Sequence, residues 1–373
     1  MVLSAAVTLL FAEGIARAVL GSEFTPGERF GPSWAVSARF DSDYGWSNRP
    51  GARARVHAGD FEYHVRINSA GWRDVERNRD SRPGVQRIVC LGDSMAWGWG
   101  VEAEERFTDR LEQLLAPDVE VLNLAVPGYG TDQELLVLLE RGLAYRPAVV
   151  LLAFVFNDVP EAERTENYGM AKPWFERDAS DPSGWSLRGR PVVRPSKHAR
   201  AWLAGAQAHS ALLRILCGNR ALLPSGVRQQ NIEERPKRAA NVRAFAERLV
   251  DPASPTRMLL ERMNEASRTA GAELVAVALP LKHDAYLYEP LLPAPEAALA
   301  PGFRCELSQR LADAGAALGF TVVAVDAALL AACRTGAVLH VGDGHYNGAG
   351  HRAVAETLAA PLRLILEQRR KVQ

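Results

Sequence analysis

The sequence has no excess of charge of either sign. Its 373 residues include 44 basic and 44 acidic side chains, and only five of the basic residues are Lys. Binding to nucleic acid by neutralising phosphates needs a clear excess of Lys and Arg, so this composition argues against a nucleic-acid partner. With 47% hydrophobic and 24% charged residues, the chain has the composition of an ordinary globular protein. A disordered, collagen-like or multi-span membrane chain is thereby excluded.

Cysteine is also scarce. The four cysteines lie far apart, none belongs to a CxxC pair, and none lies near a His at the spacing of metal ligands: Cys90, Cys217, Cys305 and Cys333. The sequence therefore predicts no structural zinc site.

One apolar run begins at the N-terminus. Residues 2–12 (VLSAAVTLLFA) are apolar or small, and Glu13 and Arg17, which are spaced to pair on one helical face, interrupt a pattern that continues to Leu20. Three interpretations fit residues 1–22: a signal or membrane anchor, an amphipathic helix packed on the protein, and a helix in the membrane interface. An anchor predicts membrane association through residues 1–20 and a location in the bacterial cell envelope, anchored or exported. A packed helix predicts a cytoplasmic protein.

The rest of the chain divides into a lead-in and an α/β core. Residues 23–85 are polar and aromatic with a strand-like stretch at Phe61–Asn68, which predicts a small β-rich lead-in. Five apolar runs of buried-strand type follow: Arg87–Leu91, Val119–Leu124, Ala148–Phe154, Leu274–Leu279 and Thr321–Val325. Helical patterns alternate with them: Glu104–Leu115, Asp132–Leu143, Thr256–Thr269, Arg304–Leu318 and Ala349–Gln368. This alternation predicts a mostly parallel five-stranded sheet covered on both faces, with a ligand site beyond the carboxyl ends of the strands.

Residues 159–255 interrupt the alternation, since they contain no convincing buried strand. We interpret them as an insertion after the third strand, partly helical around Ala199–Leu216 and Lys237–Leu249. Because the insertion leaves from the carboxyl end of a strand, we expect it to cover the site as a lid.

Four polar blocks stand where the predicted strands end or the last helix begins. The first is Leu91–Ser94 (LGDS), a tight turn that presents a serine hydroxyl beyond its strand. Residues 123–131 form a Gly-containing loop whose N–H groups can face an oxyanion, and Asn157 follows the third strand. In the last block Asp343 lies two residues before His345, close enough to orient the imidazole.

Together the four blocks resemble the SGNH hydrolases, also called the GDSL esterase and lipase family. The resemblance covers residues 86–158 and 256–369, with the blocks in family order, and implies a flavodoxin-like three-layer core. The segment Arg66–Asp74 (RINSAGWRD), with the apolar N-terminus, is similar to the lead-in of bacterial, often membrane-anchored members.

The resemblance implies a role for each matching residue. Ser94 matches the nucleophile, His345 the base and Asp343 the carboxylate that orients the base. The N–H groups of Ser94 and Gly128 and the Asn157 amide match the oxyanion hole. Members of the family need no metal and no organic cofactor.

The blocks depart from the family pattern at three points. Ala125 and Val155 stand where the family often has Gly, and the Asp-x-His spacing is one residue shorter than in many members. His283-Asp284 is an alternative base pair, whereas His351 is interpreted as a capping or packing residue.

Aromatic residues near these blocks are candidates for contact with substrate. Trp97 and Trp99 follow Ser94 closely, Tyr129 belongs to the second block, and Trp174 lies in the insertion. One of these rings could wall the pocket or form a platform for a sugar or an acyl chain. The competing interpretation is that they pack the loops onto the body.

The sequence therefore predicts a serine esterase that forms an acyl-enzyme on Ser94 and acts on a small-molecule or glycan ester. One alternative is an O-acyltransferase or acetylesterase acting on a cell-envelope or exported polysaccharide. A second alternative is a non-catalytic glycan-binding scaffold.

Overall fold

The structure is a computed structural model, and it describes residues 2–21, 28–31, 33–58, 61–194, 206, 208–217, 243–280, 305–334 and 339–371. The strands are β1 (Glu28–Gly31), β2 (Ala38–Asp41), β3 (Gly45–Asn48), β4 (Arg53–Ala58), β5 (Phe61–Arg66), β6 (Gln86–Gly92), β7 (Val119–Asn123), β8 (Val149–Phe154), β9 (Glu166–Asn167), β10 (Met170–Ala171), β11 (Trp174–Arg177), β12 (Trp185–Arg188), β13 (Glu273–Ala278) and β14 (Thr321–Val323). The α-helices are α1 (Val2–Leu20), α2 (Ser94–Trp97), α3 (Phe107–Leu115), α4 (Thr131–Val137), α5 (Asp158–Ala162), α6 (Ala211–Cys217), α7 (Pro255–Thr269), α8 (Glu306–Leu318), α9 (Asp326–Arg334) and α10 (Gly348–Arg370). Residues 243–248 are also helical.

A parallel five-stranded sheet forms the centre of the molecule, in the order β7-β6-β8-β13-β14. Every residue of β8 (VVLLAF) is buried, as expected for a strand covered on both faces. Helices α3, α9 and α10 cover one face, and α4, α7 and α8 cover the other. This strand order is the flavodoxin-like one, so the predicted α/β fold is confirmed.

The predicted core elements differ from the observed ones mainly at their ends. The last strand ends at Val323, and the predicted helix 132–143 is α4 followed by a π-helix at Leu138–Gly142. Helices α5 and α9 are missing from the sequence prediction because each is too short to show a clear helical period.

The lead-in is β-rich, as predicted. Strands β1, β4 and β5 form one small sheet, and β2 and β3 form a hairpin. Side chains of the lead-in join the hydrophobic cores on both faces of the central sheet. Val56 and Tyr63 belong to the core under α3 and α10, and Trp46 and Trp72 belong to the core under α4 and α7. In the residues that follow α5, the described part of the chain forms two further hairpins, β9-β10 and β11-β12.

Helix α1 packs against α6. Ala16 is buried beside Ala211, and the Glu13 carboxylate accepts hydrogen bonds from the hydroxyl of Ser210 and the backbone N–H groups of Ala211 and Leu212. These bonds outweigh the effect of burial and lower the pKa of Glu13 to about 2. The expected pair with Arg17 is present at 2.8 Å. Within the described ranges, every helix is too short or too polar to cross a bilayer.

A buried arginine joins the lead-in to the turn that carries Ser94. The Arg73 guanidinium donates to four carbonyl oxygens, those of His64, Trp97, Gly98 and Val101, at 2.5–3.1 Å. It also lies over the rings of Tyr63 and Trp97. Burial and the neighbouring Arg106 charge lower the pKa of Arg73 to about 9, so the side chain remains cationic at neutral pH.

We expect Arg73→Met to lower the free energy of unfolding by about 3 kcal/mol or more, because it leaves several buried carbonyl groups without a donor. Urea denaturation followed by tryptophan fluorescence measures this difference. The control is Arg82→Met, whose side chain is 72% exposed and should contribute less than about 1 kcal/mol. Equal losses in the two variants would contradict the role assigned to Arg73.

Candidate active site

Ser94 lies at the carboxyl end of β6, where the chain turns into α2. A Cβ on Gly92 would lie 2.7 Å from Cβ of Ala96, so the turn is too tight for any other residue. The side chain of Asp93 accepts a hydrogen bond from the Met95 N–H at 2.8 Å and caps α2. The turn leaves Ser94 partly exposed, while its neighbours Asp93 and Met95 are buried.

His345 and Asp343 meet Ser94 from the loop before α10. The Ser94 Oγ lies 2.8 Å from Nε2 of His345, and Oδ1 of Asp343 lies 3.0 Å from Nδ1 of the same ring. A proton on Nδ1 that is donated to Asp343 leaves Nε2 as an acceptor for the serine hydroxyl. The short Asp-x-His spacing is therefore compatible with a direct contact.

Trp99 holds the second oxygen of Asp343. Its indole N–H donates to Oδ2 at 2.6 Å, and the ring packs on Phe61 and Tyr63 of the lead-in. Burial would raise the pKa of Asp343, but hydrogen bonds from His345 and Trp99 and the His345 charge lower it below the usual value. The carboxylate is therefore ionised and fixed on both sides.

The loop after β7 presents Gly128. The indole N–H of Trp46 donates to the Pro127 carbonyl at 2.9 Å. Because the N–H of a trans peptide points away from its C=O, this bond also fixes the direction of the Gly128 N–H. At the start of the loop, Oδ1 of Asn123 accepts from the Ala125 N–H at 3.1 Å, which ties the chain down.

The loop after β8 brings Asn157 to the same edge of the sheet. Its side-chain N–H group donates to Oδ2 of Asp93 at 3.1 Å, and Asp93 Oδ2 also lies 3.4 Å from the Ser94 hydroxyl. Burial raises the pKa of Asp93, although hydrogen bonds from Met95, Asn157 and Ser94 oppose the shift. Ser94, His345, Asp343 and Asn157 thus share one continuous network.

The two replaced glycines leave this geometry intact. Ala125 and Val155 are both fully buried, and their side chains fill the core beneath α3 and α10. The Val155 N–H donates to the Asp158 side chain at 2.7 Å.

The four aromatic residues that are candidates for substrate contact differ in exposure and in their neighbours. Trp97 and Tyr129 are 0% and 1% exposed, so neither ring offers a face to solvent. Trp99 faces Asp343, and Trp174 packs over Gly189. The structure therefore favours packing and orienting roles for these four rings.

The two other histidine candidates have different outcomes. His351 is buried beside Phe107 and accepts its N–H at 3.2 Å, and burial with the Arg106 charge lowers the pKa of His351 to about 3. His351 thus caps the first N–H of α3 and packs on Phe107, in line with its interpretation as a capping or packing residue. The pair His283-Asp284 lies outside the described residues.

Sequence patterns do not reveal a cluster of buried carboxyl groups beside Asn157: Asp93, Asp132, Glu134, Asp158 and Glu161. Lys172 forms an ion pair with Asp132. Burial and the neighbouring acids raise the pKa values of Glu134 and Asp158 well above normal. Burial, with the Asp93 charge, raises the pKa of Glu161 from 4.5 to about 8. Among the described residues, no group of three or more His, Cys, Asp or Glu is arranged to hold a metal ion.

Glu161 makes a testable contribution to the pH dependence of stability. Its folded-state pKa is raised, so its stabilising effect is fully present below about pH 4.5 and is lost as the pH rises through about 8. We expect Glu161→Gln, which resembles the neutral carboxyl group, to reduce the fall in melting temperature between pH 5.5 and 8.5. The exposed Glu166→Gln is the control, and identical slopes for wild type and Glu161→Gln would contradict the assignment.

Comparison with known proteins yields one family and several solved structures. The chain is similar to TesA (14% identity, 75% of this chain and 99% of that chain, TM-score 0.38). It is also similar to a carbohydrate acetylesterase from Sinorhizobium meliloti (11% identity, 75% of this chain and 99% of that chain, TM-score 0.37). A third similar structure is the inhibitor-bound aryl esterase of M. smegmatis (13% identity, 75% of this chain and 100% of that chain, TM-score 0.36). No curated protein sequence matches the chain.

The family model of the GDSL-like lipase/acylhydrolase family matches residues 90–353, which include Ser94, Gly128, Asn157, Asp343 and His345. This match spans well over half of the chain. The protein therefore belongs to the GDSL-like lipase/acylhydrolase family and is a hydrolase that acts on esters.

Proposed function

We propose that the protein is a serine esterase that hydrolyses carboxylic esters through an acyl-enzyme on Ser94. The observation that carries the proposal is the 2.8 Å contact between Ser94 Oγ and His345 Nε2, with Asp343 at the opposite nitrogen of the ring. This arrangement is that of an activated serine nucleophile, its base and the group that orients the base.

The first half of the reaction transfers the acyl group to the enzyme. Ser94 Oγ attacks the ester carbonyl carbon while His345 takes the hydroxyl proton, and Asp343 stabilises the resulting imidazolium. His345 then gives the proton to the alkoxy oxygen, so the alcohol departs and an acyl ester of Ser94 remains. A water molecule, deprotonated by His345, releases the acid by the same steps in reverse order.

Three donors would receive the negative charge of the tetrahedral intermediates. They are the N–H groups of Ser94 and Gly128 and the side-chain amide of Asn157. The Asn157 amide donates to Asp93 at 3.1 Å and also interacts with the Glu161 carboxyl group, so these two acids orient the amide toward the edge of the sheet where the oxyanion would form. Each well-placed donor contributes on the order of 3 kcal/mol to lowering the barrier.

The raised pKa of Glu161, beside Asn157, supports this proposal. A charged Glu161 beside the oxyanion would oppose the developing charge in a region of low dielectric constant. Burial, with the Asp93 charge, raises the pKa of Glu161 to about 8, which keeps this carboxyl group largely protonated at neutral pH. The protonated Glu161 is then a polar but uncharged neighbour of the Asn157 amide.

We expect Ser94→Ala to lower kcat for p-nitrophenyl acetate by at least about 10³-fold, because the variant has no nucleophile. Its melting temperature should match that of wild type, since the hydroxyl is partly exposed. A fluorophosphonate probe should label wild type and leave Ser94→Ala unlabelled. If Ser94→Ala hydrolyses p-nitrophenyl acetate as fast as wild type, the proposed mechanism is ruled out.

A second prediction concerns the Gly128 donor. We expect Trp46→Phe to lower kcat about tenfold with little change in KM, because it frees the Pro127–Gly128 peptide without removing a group that binds substrate. The matched control is Trp72→Phe, since Trp72 is also buried and its indole nitrogen has no hydrogen-bond partner in the described structure. If both variants lose the same activity, a general packing defect explains the loss and the orienting role of Trp46 is wrong.

A further inference from the structure

Tyr168 lies at the tip of a tight hairpin in the segment that follows α5. Asn167 of β9 pairs with Met170 of β10, which leaves Tyr168 and Gly169 as a two-residue turn. Both have positive φ, 52° and 71°, as in a type I′ turn. Asn, Asp or Gly is favoured at such positions, and a bulky residue there costs roughly 1–2 kcal/mol.

Tyr168 is 54% exposed, so burial of apolar surface offsets only part of this backbone cost. Its ring meets that of Trp34 edge to face, with centroids 6.4 Å apart. Its hydroxyl donates to Oε1 of Glu161 at 3.2 Å. A large, half-exposed residue held on strained backbone, with its ring in contact with a candidate site loop, is more typical of a functional position than of a structural one.

The ring lies directly against the loop that presents the Gly128 N–H. A Cβ on Gly128 would lie 2.6 Å from Cε2 of Tyr168, so the two residues are in close contact. The neighbouring Asn167 side chain donates to the Gly128 carbonyl at 3.4 Å. The hairpin therefore covers the candidate oxyanion loop.

The two sides of the site receive different parts of an ester. His345 gives its proton to the leaving alcohol, so the alcohol lies on the His345 side. That side belongs to the core under α3 and α10, into which Tyr346 packs. Gly128 lies on the other side, where Tyr129 and Val159 join the core under α4 and α7. The carbonyl oxygen points at the Gly128 N–H, so the retained acyl chain takes the remaining direction, away from His345, and passes beside the Gly128 loop and the ring that covers it.

We propose that Tyr168 is a specificity-determining residue that closes the acyl side of the site and restricts the enzyme to esters of short acyl groups. The inference rests on the proposed function. Trp34 and Glu161 hold the ring in place from the lead-in and from α5. A long acyl chain would have to occupy the space that the ring fills.

The test compares kcat/KM for p-nitrophenyl acetate, butyrate and octanoate in wild type, Tyr168→Asn and Tyr168→Phe. Asn suits positive φ, so Tyr168→Asn removes the ring while preserving the turn. We expect it to raise the octanoate-to-acetate ratio of kcat/KM at least about tenfold. Tyr168→Phe keeps the ring and should keep the wild-type ratio within about twofold.

The outcomes separate this inference from the proposed function. If wild type hydrolyses esters and Tyr168→Asn has the same octanoate-to-acetate ratio of kcat/KM, the role of Tyr168 is overturned and the proposed function still stands. A wild type that neither hydrolyses esters nor reacts with the fluorophosphonate probe would overturn the proposed function, and this inference with it. If Tyr168→Asn does not fold by circular dichroism, Tyr168→Gly replaces it, with the same ratio expected.

Discussion

The parallel direction of the central sheet is the constraint on which the rest of the structure depends. Because β6, β7 and β8 run the same way, the loops that carry Ser94, Gly128 and Asn157 leave from one edge. The return segments form the helices that bury the two sheet faces, and the loop before α10 adds Asp343 and His345 at that edge. Residues 251 positions apart in sequence, Ser94 and His345, meet for this reason.

The lead-in completes the site rather than standing apart from it. Trp46 orients the Pro127–Gly128 peptide, and the aromatic rings of β5 support Trp99 against Asp343. Arg73 joins the His64 carbonyl of β5 to three carbonyl groups that follow the Ser94 turn. Each of these contacts fixes a group that itself lies beside a candidate catalytic residue. Packing of this kind keeps reacting groups within the narrow range of positions that catalysis requires.

The electrostatics of the site depend on the same burial. Water is excluded from the acids behind Asn157, and one cation, Lys172, is paired with Asp132 within the described cluster. Burial therefore drives proton uptake by Glu134, Asp158 and Glu161. Proton uptake by these three acids reduces the negative charge of the cluster and weakens its field at the candidate oxyanion donors.

The sequence by itself determined the order of the five core strands and of the longer helices between them, the β-rich lead-in and the four polar blocks. It could do so because buried strands appear as apolar runs, and because a turn such as Gly92-Asp93-Ser94 depends on its own residues. It also indicated the pairing of Glu13 with Arg17, since one helical turn separates them.

Only the tertiary structure decided what the aromatic residues do. Trp99 was a candidate for substrate contact, yet it holds Asp343, which is 244 residues away, and Trp46 reaches Pro127 over 81 residues. Tyr168 and the buried acids carry no local pattern that distinguishes them from ordinary loop and helix residues. Their surroundings, and hence their hydrogen bonds and proton affinities, arise when separate segments pack together, because contact and desolvation depend on position in space and not on position along the chain.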